Sequence, residues 1–252
     1  MSVVMLAGDG DSTWMIANAL KDAVPLRAVV VEESIGSWAR TRSRARRQGW
    51  ATAIGQVLFV LYSRALHARS RARIRQIAAE HGLCAERPTG VQLLAVKSAN
   101  DAEAITLLQR LAPRVVVVNG TRILSTKLLT SVDAVFLNMH AGITPMYRGV
   151  HGGYWALAED DAENAGVTVH LVDAGIDTGG VLYQARIQPE LADNFCTYPL
   201  LQLAAGVPLL LQAVREALAG RLQTRDPQMP SKLHYHPTLW RYLWLRLARG
   251  VR

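Results

Sequence analysis

The 252-residue sequence predicts an α/β protein built on a doubly wound, mostly parallel sheet. Three observations carry that expectation. Short β-rich runs recur at residues 3–7, 26–31, 91–96, 115–118, 132–137, 167–172 and 181–187. Segments with helical spacing lie between several of them, and alternation of strands with helices implies crossovers joining parallel neighbours. The run Val115, Val116, Val117 and Val118 has no polar alternation, as a parallel strand covered on both faces requires.

Taken in order, residues 3–7 form a strand that ends at Gly8, followed by a turn and a helix through Leu20. The strand 26–31 comes next. An arginine-rich insertion separates it from the strand 91–96, after which Asn100 or Asp101 supplies a side-chain cap for a helix to about Leu111. Pro113 stops that helix, and Asn119-Gly120 breaks the valine strand. Three more strands follow, then a helix over Tyr198–Leu218.

The chain carries 28 Lys+Arg, 20 Asp+Glu, half its residues apolar and only two cysteines. That balance excludes a disordered chain, collagen and a disulfide-stapled miniprotein. No apolar run reaches the roughly 18 residues of a membrane span, and the first residues lack a basic signal-peptide region, so a cytoplasmic protein is expected. Cys84 and Cys196 fit no metal spacing and read as packed thiols.

The charge is concentrated: residues 34–79 hold ten arginines and no acid, which leaves the rest of the chain at −2. Between Arg40, Arg42, Arg44, Arg46, Arg47 and the later Arg69, Arg71, Arg73, Arg75 lies an apolar stripe. Ile54, Val57, Leu58, Leu61 and Ala65 share one helical face, and such a face needs a partner. Leu239, Trp240, Leu243, Trp244 and Leu247 repeat the pattern on a short helix with Arg241, Arg246 and Arg249. Together the two helices suggest peripheral contact with an anionic membrane surface. Packing of both helices on the body of the protein, with the arginines solvated or meeting a subunit, is the reading favoured over it, and a phosphate-bearing substrate would also suit the arginines. Nucleic acid is disfavoured, because no aromatics interleave with the arginines.

In sheets of this kind the ligand crevice lies beyond the carboxyl ends of the strands, which directs attention to polar residues there. The loop Gly8-Asp9-Gly10-Asp11-Ser12-Thr13 imitates a dinucleotide fingerprint until Thr13 takes the place of the last glycine. Gly10 and Ser12 are its candidates for binding an anion, although a turn that merely caps the helix is the favoured reading of the loop. Asn138 and His140 stand two apart at a strand end and share a face, while Asp177 follows another strand in a Gly-rich loop. An amide donor, an imidazole and a carboxylate form a competent set for acyl transfer to an amine. On spacing alone, however, Asp177 is a turn residue between Gly175 and Gly179, and His140 is hydrogen-bonded scaffold. No G-x-S-x-G or H-E-x-x-H motif occurs, and His234 and His236 have no evident third ligand, so neither a serine hydrolase nor a metal site is expected.

The joint pattern reverses those odds. Asn138-Met139-His140, Pro145-Met146-Tyr147-Arg148-Gly149, Gly166-Val167-Thr168-Val169-His170 and Ile176-Asp177-Thr178-Gly179 together resemble the folate-dependent formyltransferase family, as does the 37-residue step from His140 to Asp177. The resemblance covers about residues 91–218. It implies a Rossmann-like formyltransferase domain at 1–220, with 34–79 as a helical insertion and 221–252 as a basic extension. It implies 10-formyltetrahydrofolate as donor, with no metal, and Asn138, His140 and Asp177 as the catalytic centre. Arg122, Ile123 and Leu124 resemble the segment whose backbone holds the pterin; Val172, Asp173, Ala174 and Gly175 resemble the opposite wall. Asn138 and a protonated His140 would then stabilise the oxyanion, and Thr168 would orient His140 or a water.

His151, Tyr147 and Arg148 are candidates for touching the acceptor, with loop fixation as the alternative for the last two, and His170 reads as buried scaffold. The acceptor is expected to be a phosphate-bearing primary amine, an amino sugar on a nucleotide or lipid carrier used in surface polysaccharide assembly. Phosphoribosylglycinamide and methionyl-tRNA are the alternatives, and a binding module that kept the fold without turnover is a third. A homodimer is compatible with the sequence.

Overall fold

In the structure, a computed structural model, residues 2–34 and 36–252 are described, with only the backbone course given at 37–40, 43 and 44. Arg40 and Arg44 of the basic block therefore lie outside the described side chains.

The chain runs β1 (Val3–Gly8), α1 (Asp11–Ala23), β2 (Leu26–Glu32), α2 (Ser37–Gln48), α3 (Trp50–Arg69), α4 (Arg71–Glu80) and β3 (Gln92–Val96). It continues through α5 (Ala102–Leu111), β4 (Val115–Asn119), α6 (Thr126–Leu129), β5 (Val135–His140), β6 (Arg148–Gly149) and α7 (Gly152–Ala158). The last elements are β7 (Gly166–Leu171), β8 (Val181–Arg186), α8 (Tyr198–Leu218), β9 (Leu233–His234) and α9 (Leu239–Arg249).

Seven strands form one sheet in the order β3-β2-β1-β4-β5-β7-β8. Pairing is parallel from β3 to β5, and β7 is antiparallel to both its neighbours, so the sheet is mostly parallel with one reversed strand. Both faces are covered, which explains the unbroken apolar runs. Val3, Met5, Val117 and Leu137 pack under α1 and α8, whereas Val4, Leu6, Val116 and Phe136 pack under α5. A third, aromatic cluster of Phe59, Tyr147, Tyr154, Trp155, Phe195 and Tyr242 ties the insertion and the tail to the body.

Several expectations shift. The strand expected at 132–137 begins at Val135 and reaches His140, because the turn after α6 occupies the preceding residues. Asp101 precedes α5 with extended backbone but makes no side-chain cap bond. Cys84 is exposed rather than packed; Cys196 is partly covered, and burial pushes its thiol up to about 11.

The largest difference concerns the two apolar stripes. Ile54 is 53% exposed and Leu61 54%, while the side of α3 that meets the body is Ala53, Gly55, Gln56 and Phe59. On α9, Tyr242 and Leu245 are buried, and Trp240, Leu243, Trp244 and Leu247 face outward. Apart from Leu239, which leans on the aromatic cluster, and Trp240, whose ring meets Gly55, neither stripe packs on the body. The small and polar side of α3 is the buried one because Tyr242 and the tail backbone at His236 supply its contacts.

Candidate functional site

The site grows out of β5. Alternation along that strand places Asn138 and His140 on one face, and the loop after β7 brings Asp177 to them. His140 Nδ1 lies 3.4 Å from Asp177 Oδ2, and Asn138 Nδ2 lies 3.5 Å from Asp177 Oδ1. His170 completes the group: its Nε2 is 3.1 Å from Asn138 Nδ2 and 3.6 Å from Asp177 Oδ1. It is buried, as expected, and belongs to the cluster.

Backbone partners fix both imidazoles. A carbonyl oxygen only accepts, so His140 Nε2 donates to Tyr147 O at 2.7 Å and His170 Nδ1 donates to Leu171 O at 2.6 Å. That leaves His140 Nδ1 and His170 Nε2 facing the carboxylate. Asp177 itself sits in the left-handed region, φ 50°, which Asp tolerates better than most residues. Two contacts hold it there: the Gly149 N–H donates to Asp177 Oδ2 at 3.0 Å, and Arg148 Nη1 donates to Ile176 O at 3.1 Å. Gly149 must be glycine, with φ 95° and the His234 carbonyl where a Cβ would stand.

Burial depresses the pKa of His140, and the nearby Asp177 charge only partly offsets this. Burial thus favours a neutral imidazole at rest, so the protonated His140 expected at the oxyanion would arise in the course of the reaction. Burial alone would raise the Asp177 carboxyl, but its contacts with the His170 and His140 rings and the Gly149 N–H together hold it below the ordinary carboxylate range. An ionised acid thus stands beside a base that is ready to accept a proton.

The cluster opens into a cavity of about 540 Å³. One wall is Arg122, Ile123 and Leu124 with Val118; another is Val172, Asp173, Gly175 and Ile176. Ala174 lies in the same loop but outside the lining. The side chain of Arg122 is engaged by Glu32 at 3.3 Å and by the carbonyls of Lys97 and Glu33, and its N–H donates to Glu32 Oε1 at 2.6 Å, so Arg122 holds this wall in place through Glu32. Apolar side chains beside backbone outside any sheet ladder suit a flat heterocycle that needs both stacking and amide partners.

The remaining wall was not legible in the sequence. Arg47 and Gln48 of α2, Gln56 of α3 and the tail residues Leu233, His234, Tyr235 and His236 line it. The tail is held by pairing of β9 with β6, by Trp155 Nε1 donating to Tyr235 O at 3.0 Å, and by Gln56 Nε2 donating to His236 O at 2.9 Å. The His234 ring stacks between Tyr147 and Trp155. Its Nε2 and Gln56 Oε1 are buried without a hydrogen-bond partner among the described residues. The only signal in the sequence was two histidines at alternate positions before Pro237.

Other candidates fall elsewhere. Tyr147 is 2% exposed, and its hydroxyl donates to Asp161 at 2.8 Å; its contribution to the site is the backbone carbonyl that orients His140. Arg148 braces the Asp177 loop instead of lining the cavity. His151 is 2.9 Å from His236 Nδ1 and so stands behind the wall rather than in it. Thr168 stands opposite His140 in the β5–β7 ladder but lies outside the cavity lining, and its hydroxyl bonds the turn rather than the imidazole: it donates to Gly142 O and accepts from Thr144 N, bracing the turn after β5. Gly10 and Ser12 lie outside the lining; Asn119 reaches Ser12 at 3.3 Å and Thr13 at 2.9 Å, stitching that loop to β4.

Comparison with known proteins follows the same lines. The model of the formyl transferase family matches residues 26–194. The chain belongs to that family. A methionyl-tRNA formyltransferase of Kosmotoga olearia is 28% identical over 167 residues, covering 66% of this chain and 50% of the relative. The chain spans about half the length of the curated relatives it matches. Among solved structures, a sugar N-formyltransferase from a Shewanella species aligns with TM-score 0.58 and 14% identity over 93% of this chain and 76% of the other. The phosphoribosylglycinamide formyltransferase of Streptococcus pneumoniae gives 0.57 and 18% over 86% and 99%. At those identities the likeness is one of fold.

Proposed function

We propose that the protein moves a formyl group from 10-formyltetrahydrofolate to a primary amine, and that the acceptor is an amino sugar carried on a phosphate-bearing nucleotide or lipid. The convergence of Asn138, His140 and Asp177 on one cavity carries this reading. The Arg122–Leu124 and Val172–Ile176 walls suit the pterin, which leaves the Arg47, Gln56, His234 and His236 wall for the acceptor. Arg47 offers a cation to a phosphate, and the unpaired Gln56 Oε1 and His234 Nε2 offer partners to sugar hydroxyls.

In this scheme the amine attacks the formyl carbon, its new C–N bond forms, and the carbonyl oxygen becomes an oxyanion. Asn138 donates its second N–H to that oxygen, giving up the long contact to Asp177. The neutral Nδ1 of His140 accepts the amine proton, and Asp177 stabilises the imidazolium that results. His140 then passes the proton to the folate nitrogen as the old C–N bond breaks, which restores the resting state.

The test is tetrahydrofolate release measured with nucleotide-linked amino sugars, phosphoribosylglycinamide and methionyl-tRNA as acceptors, for the wild type and His140→Ala. Turnover of an amino sugar, reduced about 10²–10³-fold in the variant, is expected. Turnover of phosphoribosylglycinamide or methionyl-tRNA alone overturns the choice of acceptor, and folate binding with no turnover of any amine supports a binding module instead.

A further inference from the structure

The outward faces of α3 and α9 are unlike the rest of the surface. Trp50, Ile54, Val57, Leu58 and Leu61 form one exposed apolar stripe, opposite the side that meets the body. Trp240, Leu243, Trp244 and Leu247 form another, with Trp244 60% and Leu247 87% exposed. The two meet at Trp240, whose indole packs over Gly55 so closely that no Cβ would fit and is still half exposed. Patches of this extent on a protein surface mark interaction sites.

Its surroundings are positive. Arg64 lies three residues from Leu61 and seven from Val57, and Arg69 lies four from Ala65, so both border the α3 stripe. Arg42, Arg46, Arg71 and Arg75 on the neighbouring helices are exposed as well, and no acidic residue occurs from 34 to 79. Among the described side chains of this block, Arg73 is turned inward, onto Asp193 and Glu190, and Arg47 lines the cavity.

We infer that the outward face of α3 and α9 docks this protein on an anionic lipid bilayer, with the helices lying in the plane of the interface. Apolar side chains edged by arginines, with three tryptophans among them, match the profile from acyl chain to headgroup. Arginine stems can lie along the apolar surface while the guanidinium groups reach lipid phosphates. Among the described residues no helix is long and apolar enough to cross a membrane, so the contact is peripheral. A second copy is the poorer occupant, because a face-to-face pairing would bring two arginine-rich rims together with no acid in either insertion to offset them. The surface is independent of the chemistry in the cavity.

Flotation of the full chain with phosphatidylcholine vesicles, with and without phosphatidylglycerol, tests this. Binding to the mixed vesicles alone, fading as salt rises, is expected. Arg64→Gln and Arg69→Gln should each weaken binding about fivefold. Trp244→Ser with Leu247→Ser should abolish it without altering the melting curve, since both side chains are outside the core. Equal binding to neutral and anionic vesicles, binding to neither, or undiminished binding by the serine variant overturns the inference. So does light scattering that finds a dimer which the serine variant dissociates.

Discussion

Asp177→Asn isolates a charge from a shape. The amide keeps the size of the carboxylate and can still accept from Gly149 N–H, now 3.0 Å away, so the left-handed turn should survive. The negative charge 3.4 Å from His140 and 3.6 Å from His170 is lost. Hydrogen bonds to charged groups contribute about 1.5–3 kcal/mol against roughly 1 for neutral ones, so the resting protein should lose only about 1–2 kcal/mol. During catalysis the carboxylate would face a full imidazolium, where the loss of such electrostatic stabilisation costs about 2.7–4 kcal/mol, or 10²–10³ in rate. Asp177 is also what raises the pKa of His140 against burial, so the variant should hold His140 neutral to a lower pH. The acid limb of kcat, set by conversion of the neutral base to its inactive charged form, should therefore move to lower pH. Single-turnover formyl transfer across pH, paired with a melting curve, reads both effects. A kcat within tenfold of wild type and an unmoved acid limb, in a folded variant, would refute the assignment of Asp177 as partner to the base.

Two further predictions concern the frame around the site. Arg73 clamps the buried Asp193 through two bonds, 2.9 and 3.1 Å, so Asp193→Ala leaves the guanidinium only the exposed Glu190 at 3.2 Å and should cost about 1.5–3 kcal/mol, lowering Tm by about 3–12 °C; a drop of under 2 °C in a thermal melt would show that α4 is not held by this pair. Thr168→Val removes a fully buried hydroxyl that joins Gly142 O and Thr144 N and should cost about 1–3 kcal/mol by urea unfolding, lowering kcat only as far as the loop after β5 shifts; unchanged stability would deny it a bracing role.

How far the sequence reached depends on the range of the interactions involved. The sheet was legible because each strand states its own burial: four consecutive valines need cover on both faces wherever they go. Asn138, His140 and Asp177 were legible because strand alternation and a glycine-rich loop are local, and their joint spacing matches a family. The orientation of α3 was not. Its better apolar stripe points outward, and the side that docks uses Ala53, Gly55, Gln56 and Phe59, whose fit depends on Tyr242 and on the His236 carbonyl nearly two hundred residues later. Periodicity reveals a face but not what lies opposite. The same distance hid His234 and His236, and the role of Tyr147 resides in a carbonyl that no side-chain pattern reports.

The strap formed by residues 233–236 closes the cavity from beyond the segment shared with the family, which ends at residue 194. If this wall takes the acceptor, as proposed above, part of the selectivity is inherited through a different stretch of chain from the chemistry. Drift in that strap can retune which molecule is admitted while the reacting group stays untouched, so relatives with matching motifs need not share a customer. Exchanging the strap between two such proteins, rather than altering the motif, is the direct route to redirecting one of them.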